Sequence, residues 1–431
     1  MPQLLDIVYF IAIVCASPWI AWRSIWSGRY RRGWGQRVFG PKTNIPEGQT
    51  VVWLHAVSVG EVQVLRTLVE QFEKHRPDVQ LAISITTDSG MDLGRKLFAK
   101  HFVFFTPIDF SWAIRNTFQV LHPNLIILAE LEVWPNWVSQ AQKRGCPVAI
   151  VNGRLSENSL RGYLRLGSLV RSTFAKITWV GAQSNSYAER FRKIGVEHSR
   201  VSVTGNTKFD GASGDKNRLE VQTLRQSLQL LPENVVWVAG STQSPEEELV
   251  LRVFCTLAKT YPMLKLILVP RHPERFEEVA KLMESTGFSS VRRSQMRPND
   301  VIGEWKIFLG DSVGELRWWW GLADIGFVGG SFGDRGGQNM IEPCAYGVAT
   351  CFGPNTKNFA DIVKLLLDDR ACQQLPTQEE LFPWVESLIQ DTHLRQQLAL
   401  NARETCQKHK GAIDRTWIEI QRLLESGLQR N

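Results

Sequence analysis

Carboxylates stand where two apolar runs of the sequence end. "WLHAVSVGEV" (53–62) places Glu61 directly after a glycine, and "AELEVWPNW" (129–137) places Glu130 and Glu132 after a second run. An ionised carboxylate within hydrogen-bonding reach of a hydroxyl group can take its proton during nucleophilic attack. A helix start next to Glu61 is expected to keep this side chain ionised at neutral pH. The competing interpretation is that each glutamate is a solvated loop charge.

Basic residues follow further apolar runs. The motifs "VNGRLSENS", "VTGNTKFD" and "LVPRHPERF" supply Arg154, Lys208 and Arg271. Arg271 follows Pro270 at a predicted strand end, where a guanidinium group is well placed to neutralise a phosphate. These motifs therefore predict a site that combines acidic and basic groups.

A turn-rich stretch covers residues 310–343. Its "GDSVGEL" segment predicts a strand-to-helix turn, and "VGGSFGDRGGQN" predicts a glycine-rich loop before a helix that starts near Asn339. Exposed N–H groups and the helix dipole make such a loop an anion site. The spacing matches neither the P-loop nor GxGxxG, so ATPase and dehydrogenase functions are not indicated. Glu342 could accept hydrogen bonds from ribose hydroxyls. The alternative is a structural role, because the helix dipole favours an acidic residue in the first turn.

"GSTQSPEEE" (240–248) predicts another strand-to-helix transition. Ser244 is expected to cap the helix, Pro245 to occupy its first position and Glu247 to complete a capping box.

The sequence offers no metal-binding pattern. It contains no DxD or HExxH motif, and its seven cysteines are scattered without a CxxC pair. Such cysteines are typical of reduced, buried thiols in a cytosolic environment, with a disulfide or a zinc site as the alternative. We therefore expect chemistry that needs no metal ion.

Apolar runs that alternate with helical periodicity predict parallel sheets covered on both faces. The predicted strands are 51–57, 81–87, 102–108, 125–130, 147–152 and 177–182, and then 234–241, 264–270, 306–311, 324–330 and 348–353. The polar stretch 209–217 between the two series suits a domain linker, and the chain ends in predicted amphipathic helices. A length of 431 residues also favours two domains. Because ligands bind beyond the carboxyl ends of parallel strands, we expect the site in a cleft between the domains.

The N-terminus is hydrophobic and is followed by a basic cluster. Residues 7–22 contain no charge, and residues 1–42 hold six basic side chains against the single acid Asp6. Tryptophans at the end of the run suit the headgroup zone of a bilayer, so we expect a membrane-associating segment, either spanning or shallow. The alternative is a hydrophobic helix packed on the protein's own core. Because much of the net charge of +7 lies in this cluster, a nucleic-acid partner is not indicated.

The chain resembles bacterial 3-deoxy-D-manno-octulosonic acid (Kdo) transferases over almost its whole length. The motifs "HAVSVGEV", "ELEVWPN", "VNGRLS", "VTGNTKFD", "LVPRHPERF", "GDSVGEL" and "FVGGSFGDRGGQNMIEP" occur in the order found in that family. The resemblance implies an α/β fold of the GT-B type, with two doubly wound Rossmann-like domains. The expected division is a membrane-associating segment (1–42), an acceptor domain (43–211) and a CMP-sugar donor domain with terminal helices (212–431).

The resemblance also implies an activity. The family transfers Kdo from CMP-Kdo to a lipid A precursor, lipid IVA, in lipopolysaccharide core biosynthesis, with inversion and without a metal ion. CMP-Kdo is thus a donor substrate, and no cofactor is expected. The expected partners are CMP-Kdo, the lipid A precursor and a membrane surface, at the cytoplasmic side of the cell inner membrane.

Individual roles follow from matching positions in the family motifs. Glu61 is the expected catalytic base, and Glu130 and Lys208 are expected to stabilise the transition state. The expected CMP-binding residues are Pro270, Arg271, Val313, Gly314, Glu315, Asn339, Met340, Ile341 and Glu342. Gly153, Gln338 and Met340 stand where alanine, histidine and proline are usual in the family, and these changes are expected to affect loop stiffness and donor fit.

Two other functions suit a two-domain α/β protein. A sugar-nucleotide epimerase of similar build would need no lipid acceptor, so the hydrophobic N-terminus counts against it. A non-catalytic, membrane-bound nucleotide-binding protein is the third interpretation.

Overall fold

The structure is a computed structural model that describes residues 5–12, 14–15, 32–43, 45–46, 48–212, 214–297 and 300–428. The chain forms two compact units. Unit 1 comprises the chain up to Asp210 and from Lys410 onward, and unit 2 comprises Gly211–His409.

Unit 1 contains a seven-stranded parallel sheet in the order β3-β2-β1-β4-β5-β6-β7. The strands are β1 Val51–Ala56, β2 Gln80–Ile85, β3 Phe102–Phe105, β4 Leu125–Ala129, β5 Val148–Gly153, β6 Trp179–Ala182 and β7 Val201–Val203. The six strands predicted for this half are confirmed. The pattern missed β7, because it has three residues and two of them are exposed.

Both faces of this sheet are buried, which is why its strands are apolar at successive positions. All six residues of β1 are buried. Trp53 faces one core, where its ring lies 4.3 Å from that of Trp137. The neighbouring Leu54 faces a second core on the opposite side of the sheet. Helices cover both faces: α1 Trp34–Phe39, α2 Val59–His75, α3 Asp88–Leu97, α4 Ser111–Leu121, α5 Pro135–Lys143, α6 Glu157–Arg165, α7 Ser168–Phe174 and α8 Asn185–Ile194.

Unit 2 contains a second seven-stranded parallel sheet, in the order β10-β11-β9-β8-β12-β13-β14. Its strands are β8 Val235–Thr242, β9 Leu264–Pro270, β10 Ser290–Arg292, β11 Ile307–Leu309, β12 Ile325–Val328, β13 Ala349–Phe352 and β14 Gln373–Gln374. The five strands predicted here are confirmed. The outer strands β10 and β14 were missed because they are short and polar.

The helices of unit 2 surround that sheet. They are α9 Leu219–Ser227, α10 Glu246–Thr260, α11 Phe276–Glu284, α12 Leu316–Trp319, α13 Ile341–Ala345, α14 Ala360–Asp368, α15 Leu381–Gln390 and α16 Thr392–His409. Short 3₁₀ turns lie at His198–Arg200 in unit 1 and at Pro273–Arg275, Arg293–Gln295, Trp320–Leu322, Lys357–Phe359 and Gln378–Glu380 in unit 2.

The last helix, α17 Ala412–Leu428, belongs to unit 1 rather than to the second domain. Its Trp417, Ile420 and Leu424 side chains are part of the unit 1 core. The Asp210 carboxylate accepts hydrogen bonds from the backbone N–H groups at the helix start, at residues 411 and 413, each at 2.6 Å. The expected donor domain of 212–431 is therefore wrong at its C-terminal end, because burial of this apolar face takes place in unit 1.

Each sheet reverses its strand order once. In unit 1 the reversal lies between β1 and β4, and in unit 2 it lies between β8 and β12. At such a point the two following loops diverge to opposite faces of the sheet and leave a crevice at the carboxyl edge. Glu61 and Glu130 follow β1 and β4, so they lie at the reversal of unit 1.

Residues 5–12 and 14–15 are helical and are held to unit 1 by polar contacts. The Asp6 carboxylate accepts from the N–H and the hydroxyl of Ser111, at the start of α4. The Tyr9 hydroxyl donates to Asp109 at 3.0 Å. Within the described part of the chain, no helix is both long and apolar enough to cross a bilayer. The remainder of the predicted run, residues 13 and 16–22, lies outside the described residues.

Candidate active site

Glu61 occupies the first turn of α2, directly beyond the carboxyl end of β1. The backbone N–H of Val57 donates to its Oε2 at 2.8 Å, and the Ser58 hydroxyl donates to its Oε1 at 3.1 Å. These two bonds hold the carboxylate over the strand-to-helix turn. They also stabilise the turn itself, so Glu61 has a structural role beside any chemical one.

The environment of Glu61 favours its neutral form more than the sequence suggested. Burial raises its pKa from 4.5 to about 7, the hydrogen bond from Val57 opposes the rise, and the charges of Glu130 and Glu132 add to it. Glu61 is therefore only partly ionised at neutral pH, less than the helix start alone led us to expect, because desolvation exceeds the effect of the nearby N–H groups. A carboxylate with a pKa near neutrality is well suited to act as a general base.

Glu130 follows β4 in an unusual backbone conformation. Its φ is +59°, in the left-handed region that residues with a side chain rarely adopt. Its N–H donates to the carbonyl of Val151, and its carbonyl accepts from the N–H of Arg154. These bonds join the loop after β4 to β5 and to the residue that follows it, so they fix where the Glu130 side chain leaves the backbone. Burial also raises the pKa of the neighbouring Glu132.

Asp109 supports the same loop and was missed in the sequence. The Asp109 side chain is 4% exposed. Its carboxylate accepts from the backbone N–H groups of Asn136 and Trp137, each at 3.1 Å, at the start of α5. Burial raises its pKa to about 7. The only sequence signal was an acidic residue after the strand "FVFF", which did not reveal that the helix it caps begins 26 residues later.

Lys208 lies in a loop that side-chain amides organise. Asn152, at a φ of +53°, accepts from the N–H of Thr207 at 3.2 Å. Asn206 accepts from the N–H of Lys208 at 3.0 Å and donates to Gln183 at 3.1 Å. The ends of β5, β6 and β7 are thereby joined, and the network determines where the Lys208 backbone lies.

In unit 2, three charged residues near the strand ends form one electrostatic group. Glu342 lies in α13, its pKa is raised by burial, and the charges of Arg317 and Arg271 oppose that rise. Arg271 is exposed and follows the buried Pro270. The backbone N–H of Arg271 donates to the carbonyl of Thr242 at 3.0 Å. The structure thus brings together two regions that are 71 residues apart in the sequence. Arg317 is a cation of this group that the sequence motifs did not single out.

Asn339 organises the start of α13. Its side-chain oxygen accepts from the N–H of Ile341 at 3.1 Å, and its amide donates to Glu342 at 3.0 Å. Met340 and Ile341 are fully buried. Of the predicted CMP-binding residues 339–342, Met340 and Ile341 can therefore offer a ligand backbone atoms rather than side-chain surface.

The turn Val313–Glu315 is open to solvent at its tip. Val313 is 79% exposed, and Gly314 has a φ of +89°. The Glu315 carboxylate is already engaged, because Arg293 donates to both of its oxygens at 2.9 and 3.0 Å and Ser312 donates to one of them. Glu315 thus holds the turn in place, and the exposed backbone is the part that a ligand can contact.

The predicted start of α10 is wrong. The helix begins at Glu246, and its N-cap is Pro245, which makes no side-chain cap. Glu247 pairs with Arg275 at 2.7 Å instead of completing a capping box. Glu246 accepts hydrogen bonds from a distant loop, so tertiary contacts override the local capping pattern.

The described residues contain no group of three or more histidine, cysteine, aspartate or glutamate side chains arranged to hold a metal ion. All seven cysteines are free, and five of them are buried.

Comparisons with known proteins agree on one family. The profile of a family described as 3-Deoxy-D-manno-octulosonic-acid transferase (kdotransferase) matches residues 32–211. A 3-deoxy-D-manno-octulosonic acid transferase of Haemophilus influenzae is 32% identical over 95% of this chain and 94% of its own. One from Chlamydophila psittaci is 28% identical over 98% of this chain and 96% of its own.

One solved structure is similar to this chain in its fold but not in its sequence. A UDP-GlcNAc 2-epimerase from Neisseria meningitidis superposes with a TM-score of 0.56 over 89% of this chain and 100% of its own, at 14% identity.

Proposed function

Because the chain belongs to the 3-deoxy-D-manno-octulosonic acid transferase family, we propose that it transfers Kdo from CMP-Kdo to a lipid A precursor, with inversion and without a metal ion. The observation that carries the proposal is the Glu61 carboxylate, which lies at the strand-order reversal of unit 1 with its pKa near 7. The proposal places the protein in lipopolysaccharide core biosynthesis.

Unit 1 supplies the acceptor chemistry in this proposal. Glu61 takes the proton of the attacking sugar hydroxyl, a weak nucleophile that needs a base in the transition state. Apart from its chain neighbours and its own helix backbone, a Cβ added at Gly60 would meet only Ser58 Oγ among the described residues, at 3.7 Å, so this turn is not crowded by other segments. Glu130 and Lys208 have the role of stabilising the developing charges, and their backbone positions are fixed by the bonds described above.

Unit 2 supplies the donor chemistry. The leaving CMP carries negative charge, which Arg271 and the backbone N–H groups of the Val313–Glu315 turn and the α13 start are proposed to stabilise. Glu342 accepts hydrogen bonds from ribose hydroxyls. Arg271 and Glu342 are close enough that the charge of one affects the pKa of the other.

A membrane surface is the third part of the proposal. The helical residues 5–12 and 14–15 direct Asp6 and Tyr9 towards the rest of unit 1 and leave an apolar set exposed: Ile7, Val8, Phe10, Ile11 and Val14. Each of these five side chains is more than half exposed. Apolar residues directed outward while polar ones are bound to the protein favour insertion into a lipid surface. We place the protein at the cytoplasmic side of the cell inner membrane.

The direct test is a transfer assay. The purified protein is incubated with CMP-Kdo and a lipid A precursor, and the lipid is weighed by mass spectrometry. We expect a mass increase by one or more Kdo units. An unchanged lipid mass, with donor shown to be intact, would contradict the proposal. Conversion of the sugar nucleotide without any change of the lipid would favour the epimerase alternative.

Glu61→Gln tests the proposed base. The variant is expected to fold and to bind CMP as the wild type does, but to lose transfer by about 10²-fold or more, because the amide cannot accept the proton. Glu70→Gln, an exposed change on the same helix, is the matched control and should leave transfer unchanged. Near-normal transfer by Glu61→Gln would remove Glu61 from the role of base.

A further inference from the structure

Glu246 is a buried carboxylate surrounded by backbone donors. Its side chain lies at the start of α10 and is 2% exposed. Oε2 accepts from the N–H of Gln243 at 3.0 Å and of Gly330 at 2.7 Å. Oε1 accepts from the N–H of Ser331 at 2.9 Å and of Phe332 at 3.0 Å. Each oxygen therefore faces two N–H donors. Burial raises the pKa of Glu246, and the hydrogen bonds from these four N–H groups oppose that rise.

Three of these four N–H groups, at Gly330, Ser331 and Phe332, belong to the loop that the sequence indicated as an anion site. Successive N–H groups that point into one concavity bind anions, and here the anion is the protein's own glutamate. The fit is close, since a Cβ added at Gly329 would lie 2.7 Å from Glu246 Oε2 and 2.5 Å from Thr242 Cα. The carboxylate thus occupies the position at which a nucleotide-binding loop of this kind would bind a phosphate.

The loops that Glu246 joins lead directly to the proposed donor residues. Thr242, one residue before Gln243, accepts from the N–H of Arg271. Gly330 accepts from the N–H of Gly337 at 2.8 Å, two residues before Asn339. A single carboxylate at the strand-order reversal of unit 2 therefore connects both sides of the proposed CMP site.

We propose that Glu246 is a positioning residue for donor binding: it fills the amide concavity of the glycine-rich loop with an internal anion and so sets the positions of Arg271 and the α13 start. The donor phosphate is consequently bound at Arg271 and not by the amides of residues 330–332. The inference rests on the proposed function, because it assumes that unit 2 binds CMP.

The test is chemical rescue of CMP binding. CMP is titrated calorimetrically into the wild type and into Glu246→Ala, in sodium acetate and in sodium chloride of equal ionic strength. In chloride, Glu246→Ala should bind CMP at least ~10-fold more weakly, because four N–H groups lose their acceptor. Acetate should bind to the N–H groups that Glu246 no longer occupies and restore most of the lost CMP affinity. It should not change the CMP affinity of the wild type.

Two further variants complete the experiment. Glu248→Gln, an exposed change of the same charge in the same helix, should bind CMP as the wild type does. Glu246→Gln, which keeps one acceptor oxygen, serves if Glu246→Ala does not fold. It should raise the KM for CMP-Kdo several-fold while kcat changes less.

Unaltered CMP affinity of both Glu246 variants, or a CMP affinity of Glu246→Ala that is as weak in acetate as in chloride, would overturn the inference. Failure of the wild type itself to bind CMP would instead overturn the proposed function, and the inference with it.

Discussion

Glu61 shows how one residue can serve both a turn and a reaction. Its carboxylate accepts from the backbone before α2, as a structural residue would, yet burial and two nearby glutamates raise its pKa to about 7. A pKa near neutrality suits the proposed role of a general base.

The raised pKa predicts how transfer depends on pH. Glu61 must be ionised to act as a base, so kcat/KM should rise with pH and level off above about 7, with a fall of about tenfold per pH unit below that value. The measurement is the rate of Kdo transfer between pH 5 and pH 8. Because burial also raises the pKa of Asp109 to about 7, the profile is repeated on Glu61→Gln, whose residual rate should not depend on pH. A sloping profile in that variant would assign the titration to Asp109.

The same shift predicts an effect on stability. The folded chain holds a proton on Glu61 up to about pH 7, whereas the unfolded chain loses it near the ordinary value of 4.5. Its contribution to the free energy of unfolding is therefore greatest below about pH 4.5 and is lost as the pH rises through about 7. Glu61→Gln lacks this titration. The free energy of unfolding of the variant, relative to that of the wild type, should therefore increase by roughly 1–2 kcal/mol from pH 5 to pH 8, allowing for partial exposure of the site.

Urea unfolding of both proteins at the two pH values measures that difference. An equal pH dependence in wild type and variant would show that Glu61 has its ordinary pKa in the folded chain.

At the scale of elements, the N-terminal helix reverses the usual orientation of an amphipathic helix. Asp6 serves as a cap for α4 from a distant part of the chain, since α4 begins without a side-chain cap of its own. Tyr9 bonds to Asp109, which in turn caps α5 after the Glu130 loop. The polar side of the helix is therefore used within unit 1, and its apolar side is exposed, where we propose that a membrane surface binds.

Binding to lipid vesicles tests that partner. Replacing Phe10 and Ile11 by aspartate should lower sedimentation of the protein with anionic phospholipid vesicles by tenfold or more, because about 1.5–3 kcal/mol is gained when each apolar side chain leaves water. Leu219→Asp, an exposed apolar position in unit 2, is the control and should bind as the wild type does. Unchanged sedimentation of the double variant would place the membrane contact elsewhere or exclude it.

At the scale of the whole molecule, the chain leaves unit 1 after Asp210 and returns to it at Lys410. The returning helix α17 fills part of the unit 1 core, where Trp417 packs edge-on against Phe72 with ring centroids 4.8 Å apart. The Arg415 guanidinium donates to the carbonyl of Thr204 at 2.8 Å. Helix α17 is therefore an integral part of the unit 1 core.

Trp417→Ala should destabilise unit 1 selectively, by about 3–5 kcal/mol, since a large buried side chain is lost. Scanning calorimetry of the full chain should show one transition moved to lower temperature and the transition of unit 2 unchanged. Ile418→Ala, at the neighbouring position that is 63% exposed, should have little effect. A shift of both transitions would indicate that the two units unfold together.

The sequence by itself determined the two parallel sheets and the residues that follow their strands. Both depend on local information, because a strand buried on both faces must be apolar throughout and must end where polar residues begin. Short or polar outer strands such as β7 and β14 carry no such pattern and were not predicted. The order of motifs was enough to indicate the family.

Only the tertiary structure decided which partners the charged residues have. Glu246 looked like one of three glutamates in a first helical turn, yet it accepts from amides more than 80 residues away. The pKa of Glu61 and the return of α17 to unit 1 were likewise decided by tertiary structure. The reason is physical: desolvation, burial and hydrogen bonding to a buried group depend on atoms that distant segments bring together, whereas periodicity and capping depend on neighbours in the chain.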